Sequence, residues 1–136
     1  MLLPTIHEIA IFGVFDRGVP NKERIILRPT EIVDLGGFGL YIGKMMPNNM
    51  IWPYPDNFLW LGNLIVQPPA WIFIYTGLGQ FQESKLPITG HQAYTYHWGK
   101  KFTVFDDPQS VPVLFKYSGI AIGQPQPHPT LPPIKG

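Results

Sequence analysis

Residues 71–76 read Trp-Ile-Phe-Ile-Tyr-Thr, so Trp71, Phe73 and Tyr75 fall on one face of an extended chain and Ile72, Ile74 and Thr76 on the other. Both faces are largely apolar, and Pro68-Pro69 and Gly77-Leu78-Gly79 punctuate the two ends. The pattern predicts an interior strand covered on both sides, with Trp71, Phe73 and Tyr75 in the core. Trp98 and Phe105 are expected to join them. Truncation of Trp71 to alanine is then expected to cost roughly 3–5 kcal/mol, as for other large-to-small core changes.

The same alternation marks further extended pieces. Residues 5–12 place Ile9 and Ile11 opposite Glu8, Ala10 and Phe12, an edge-strand pattern. Residues 23–27, 32–35 and 38–42 follow, the last with Phe38, Leu40 and Ile42 on one face, and a tight bend is expected at Gly36-Gly37. Residues 58–66 are expected to pair with 71–76 as a central pair, while 93–98 put Tyr94, Tyr96 and Trp98 on one face. Residues 102–105 and 111–122 complete the set. Residues 45–56, with Pro47, Pro53 and Pro55, read as an ordered loop pinned by Trp52 and Tyr54, and residues 80–90 as a mobile polar excursion.

Sixteen prolines and fourteen glycines are spread so evenly that no stretch free of both exceeds eight residues. An average helix needs about eleven or twelve residues and an interior proline costs about 3 kcal/mol, so helices are nearly excluded. The expected class is all-β, a single immunoglobulin-like β-sandwich over residues 1–123 whose first four residues form a short arm. Residues 124–136, with prolines at 125, 127, 129, 132 and 133, have no alternating apolar face and read as an extended arm. Leu131 and Ile134 are its candidate contacts.

Composition narrows the partners. Charged residues are 14% of the chain against a usual quarter, while aromatics also reach 14%, so much of the surface must be uncharged, which favours protein neighbours. A net charge of +1 supplies no long-range field to gather nucleic acid or anionic lipid. The absence of cysteine excludes disulfides and thiolate-bound metals. No classical signal peptide is visible, because Pro4, His7 and Glu8 interrupt the N-terminal apolar run. The apolar stretch 58–78 contains Asn63, Gln67 and Pro68-Pro69, which reads as strands and a turn rather than a membrane span.

Several pieces together resemble lamin-tail-like domains. Glu23-Arg24-Ile25-Ile26-Leu27-Arg28, followed by Ile32-Val33-Asp34-Leu35-Gly36-Gly37-Phe38-Gly39-Leu40, is similar to that family's opening strand and its V-D-L-(small)-G-(aromatic)-x-L bend. Trp71 through Tyr75-Thr76-Gly77-Leu78-Gly79 is similar to its aromatic strand and Thr-Gly-x-Gly loop. Tyr96-His97-Trp98-Gly99 and Val104-Phe105 are similar to its Tyr-Trp-Gly and Val-Trp pieces. Pro68-Pro69 stands where the family usually has Pro-Gly, and Asp106-Asp107-Pro108 replaces an Asn-Asn-x-Gly-Asp turn. The resemblance spans roughly residues 23–117. It implies an immunoglobulin-like sandwich acting as an adhesive module, with no catalytic residue to carry over.

Candidate chemistry is sparse. His97 with Asp106 and Asp107 supplies a base and carboxylates, but the spacing places no nucleophile or metal beside them, and a histidine on a strand near a solvated turn explains them as well. His7, His91 and His128 lack paired metal-ligand spacing, so no metal or other cofactor is expected. The glycine-rich segments 36–39 and 76–79 lack the following helix and Lys-Ser/Thr of a phosphate loop. Lys100-Lys101 between Trp98 and Phe102 reads as a hairpin tip, and no nucleic-acid partner is expected. Trp52, Tyr54, Asp56, Phe58 and Trp60 are the candidate interaction surface: such a cluster suits a subunit contact or a sugar platform. The expected function is a non-enzymatic structural subunit contacting its own copies or other proteins in a repeated assembly such as a virus particle or secretion apparatus. A carbohydrate-binding or other adhesive module is the alternative class.

Overall fold

The computed structural model describes residues 4–123 and Pro125, apart from the side chains of Asn49, Pro55 and Asp56. Ten strands follow one another: β1 (Ile9–Phe15), β2 (Arg24–Pro29), β3 (Val33–Asp34), β4 (Phe38–Met46), β5 (Met50–Trp60), β6 (Ile65–Val66), β7 (Trp71–Tyr75), β8 (Gln82–Lys85), β9 (Gln92–His97) and β10 (Ser110–Lys116). Among the described residues the only helical pieces are single 3₁₀ turns, as the proline and glycine spacing requires. No helix among the described residues is long and apolar enough to cross a membrane. Leu131 and Ile134 lie outside the described residues.

The architecture is an all-β sandwich. A five-stranded sheet runs β1-β2-β7-β9-β8 and a three-stranded antiparallel sheet runs β10-β4-β5, with β3 and β6 pairing as a short ribbon. One contiguous core lies between them. It takes Ile25 and Leu27 from β2 and Ile72 and Ile74 from β7, which meet Phe38, Leu40 and Ile42 from β4, while Leu35, Leu61 and Phe105 enter from loops. Burial of this many aliphatic side chains, each worth about 1.5–3 kcal/mol relative to exposure, drives the closure.

Strand β7 is the middle strand of its sheet, but its aromatic face points outward. Ile72 and Ile74 are buried, whereas Trp71, Phe73 and Tyr75 are only half-buried and lie outside the core. The register sets Arg24 beside Tyr75, Ile26 beside Phe73 and Leu27 beside Ile72. Arg24 and Arg28 therefore share the aromatic face. The Arg28 guanidinium lies 3.8 Å from the Trp71 ring centroid, and that of Arg24 lies 5.8 Å from both Phe15 and Tyr75. Arginine stems and guanidinium planes cover aromatic rings without a second sheet. The expected core placement of Trp71, Phe73 and Tyr75 is thus corrected, while Phe105 is fully buried and Trp98 packs partly buried against the core.

Other expectations change for similar reasons. β7 pairs with β2 and, in parallel, with β9, so residues 58–66 are not its partner. The stretch expected as a pinned loop is instead a hairpin of β4 and β5: Pro47–Asn49 reverses the chain with Asn48 at φ 65°, a left-handed position asparagine tolerates. Prolines 53 and 55 are accommodated because β5 is an edge strand. The polar excursion contains β8, an edge strand whose four residues are all exposed and which pairs antiparallel with β9. No strand forms at residues 102–105, and the last strand ends at Lys116 rather than residue 122. The Gly36-Gly37 bend is a 3₁₀ turn whose Gly36 N–H donates to Asp34 Oδ1 at 2.9 Å.

Tyr96 ties the sheets together, its hydroxyl donating to the Leu61 carbonyl at 2.6 Å. Burial, then the nearby Glu83 and Tyr94, push its phenol from 10.0 to about 12. The folded chain therefore holds this proton more tightly than the unfolded chain does. The stabilisation is complete below pH 10 and is lost as pH rises toward and through about 12. Urea midpoints are expected to fall across that window, and to fall less in Tyr96→Phe; equal pH dependence in both proteins would refute the assignment.

Candidate interaction site

The outward face of the three-stranded sheet is built by register. Trp60 of β5 sits opposite Gly39 of β4, which sits opposite Phe115 of β10. Phe58, Tyr41 and Val113 make the next row, and Pro53, Gly43 and Val111 the third. None of these nine residues is charged. Leu40, Ile42, Leu59 and Leu114 alternate with them and point into the sandwich, which is why β4 and β10 read as apolar on both faces.

Gly39 organises the rings. A Cβ there would overlap the Tyr117 hydroxyl and the Phe58 ring, so only glycine lets both close over the backbone. Tyr117 and Phe58 lie 6.4 Å apart between ring centroids, and Tyr41 stacks on Phe115 at 4.6 Å. Partial burial raises the Tyr41 and Tyr117 phenols above the usual tyrosine value. The Trp60 indole N–H donates to the Gly36 carbonyl at 2.9 Å, which satisfies its polar atom and leaves ring surface facing outward. Phe58 is nonetheless 55% exposed and Trp60 44%. The exposed apolar surface continues along the hairpin through Ile51, opposite Met45, whereas Trp52, opposite Lys44, points to the other side of the ribbon.

The sequence-selected cluster is only partly assembled. Phe58 and Trp60 share the outward face, and Trp52 stands exposed near the hairpin tip. Tyr54 turns the other way. Residues 54–57 bulge opposite Ile42, because Tyr41 pairs with Phe58 while Gly43 pairs with Pro53, and Tyr54 packs against the core. It lines a cleft of about 290 Å³ with Asn57, Asp106, Asp107 and Ser110. The side chain of Asp56 lies outside the described residues. Tyr41, Phe115 and Tyr117, which complete the surface, were missed because β10 meets β4 across more than sixty intervening residues.

The remaining candidates have local partners. The His97 ring stacks on Tyr75 at 5.5 Å and does not line the cleft that holds the two aspartates. Asp107 caps its own turn, accepting from the Gln109 N–H at 2.9 Å. Among the described residues no three His, Asp or Glu side chains gather as a metal-binding group would require. A carboxylate that the sequence reading passed over, Glu23, is 1% exposed and accepts from Gly18 N, Thr76 Oγ1, Val104 N and Phe105 N at 2.7–2.9 Å. It fastens two loops to the start of β2. Its signal in the sequence was only an acid placed just ahead of an apolar strand. No family model, curated protein or solved structure matches the chain.

Proposed function

We propose that this chain is a non-enzymatic structural subunit that joins copies of itself, or other proteins, in a repeated assembly through the outer face of its three-stranded sheet. The observation that carries the proposal is the three-row uncharged aromatic surface around Phe58, Trp60, Tyr41 and Phe115. Contiguous exposed apolar surface of this kind is uncommon on a free monomer and marks interaction sites, and aromatic residues are enriched where interfaces are driest. The lamin-tail-like resemblance supports an adhesive role, and a virus particle or secretion apparatus is the kind of assembly that the low charge and long arm suit. The sugar-platform reading loses support because Tyr54 does not share a face with Phe58 and Trp60.

Sedimentation velocity over a wide concentration range tests this. The chain is expected to form species larger than one protomer, and Phe58→Ser to shift them toward monomer while its urea midpoint stays near the parent's, since this side chain is mostly exposed. A parent chain that remains monomeric at every concentration would sink the joining of its own copies through this face. Retention on a polysaccharide matrix by such a monomer would favour the sugar-binding alternative.

A further inference from the structure

Beyond Lys116 the chain keeps a strand-like sequence without a strand. Residues 119–123 read Gly-Ile-Ala-Ile-Gly, the alternation of a buried extended segment, yet among the described residues they join no sheet, and Ile120 and Ile122 are each 79% exposed. The start of this segment is fixed. The Tyr117 N–H donates to the Gly37 carbonyl at 2.7 Å, and its ring lies over Gly39 beside Phe58. The chain thus leaves the sandwich at the corner of the aromatic face, and the two isoleucines stay exposed while that face also stays open.

We infer that Ile120 and Ile122 of one copy, with the proline-rich residues that follow them, seat on the aromatic face of a second copy. The inference rests on the subunit reading above and names the segment that occupies the site. Three features favour this occupant. The nine residues of the face and residues 117–134 of the segment include no Asp, Glu, Lys or Arg, so neither loses a hydrated ion on burial. Extended proline-rich chain is a ligand that aromatic-lined surfaces recognise, since prolines remove backbone donors and lower the entropy lost on ordering. Length also fits: the thirteen residues 124–136 span about 40 Å when extended, and the nine residues of β4 span about 30 Å. The arm therefore reaches along the whole face to the β4–β5 hairpin tip. Because donor segment and acceptor face are different surfaces of one chain, each copy that donates can also accept. Such head-to-tail contacts propagate into a ring or filament unless two copies exchange arms.

The chain contains no cysteine, which permits a direct test with full-length protein. Ile122→Cys and Phe58→Cys, prepared separately and mixed under mild oxidation, are expected to give a disulfide-linked heterodimer far faster than Ile122→Cys mixed with Ser84→Cys on the edge of the other sheet. Equal rates for the two mixtures would overturn the inference. So would predominant linkage within one chain of the double variant Phe58→Cys/Ile122→Cys, which would show the arm folding back on its own face. In parallel, Ile120→Asp/Ile122→Asp is expected to weaken association by roughly tenfold or more, the consequence of placing charges in an apolar contact. Its urea midpoint should match the parent's. If the parent associates and this variant associates equally well, the arm docking fails while the subunit reading stands. If the parent never associates, the arm docking and the joining of like copies fail together.

Discussion

Glu23→Ala is expected to remove roughly 4–6 kcal/mol of folding stability, a large part of what a typical domain has. Each carboxylate oxygen accepts two hydrogen bonds, Oε1 from Gly18 N and Phe105 N, and Oε2 from Thr76 Oγ1 and Val104 N. Removing the acceptor strands donors that are buried or partly buried, at about 1–3 kcal/mol for each that water cannot reach. A total of roughly 4–6 kcal/mol follows if only two or three stay dry, against a typical domain stability of 5–15 kcal/mol. Glu23→Gln keeps the shape and one acceptor oxygen but turns an NH₂ group toward two of the donors, so it should recover only part of the loss. Urea denaturation of both variants checks this. An alanine variant within about 1 kcal/mol of the parent would show that water replaces the carboxylate and that the loops do not depend on it.

Phe105→Ala is expected to cost roughly 3–5 kcal/mol, and Trp71→Ala only about 1–2 kcal/mol. The ranking opposes residue size, since tryptophan is the larger side chain. Phe105 is fully buried, its N–H is held by Glu23, and the Arg17 guanidinium lies 5.5 Å from its ring centroid on the outer side. Truncation there opens a cavity between the sheets. Trp71 lies on the outer face of its sheet under Arg28, so truncation removes a stacking contact and a patch of partly exposed surface, and the arginine stem can settle into the space. Denaturation midpoints measured side by side decide the matter. A loss at Trp71 equal to or greater than that at Phe105 would mean that the aromatic face of β7 is a second core.

The candidate surface was half legible. Phe58 and Trp60 stood out as aromatic residues two apart, a spacing that places them on one strand face. Tyr54 has the same parity, which predicts a place on the same face, but the bulge at residues 54–57 breaks the alternation and turns it inward. Tyr41, Phe115 and Tyr117 carried no local sign that they share the face. Their proximity comes from pairing between β4 and β10, and from the missing side chain of Gly39, whose role appears only once Tyr117 and Phe58 close over it.

The chain's local chemistry by itself determined its class. Prolines and glycines at intervals too short for a helix, with β-branched and aromatic residues between them, leave strands and turns as the available structure, and the alternation at residues 71–76 makes an interior strand. What alternation does not contain is which strands pair, or which of two apolar faces turns inward, because both depend on residues distant in sequence. Here the tertiary structure decided that Ile72 and Ile74 face the core while Arg24 and Arg28 cross from the neighbouring strand to cover Trp71 and Tyr75. It also decided the ends. Gly119 to Gly123 has the sequence of a strand and remains outside the sandwich, because β10 runs out of partner where β4 begins: Lys116 already pairs with Phe38, the first residue of β4.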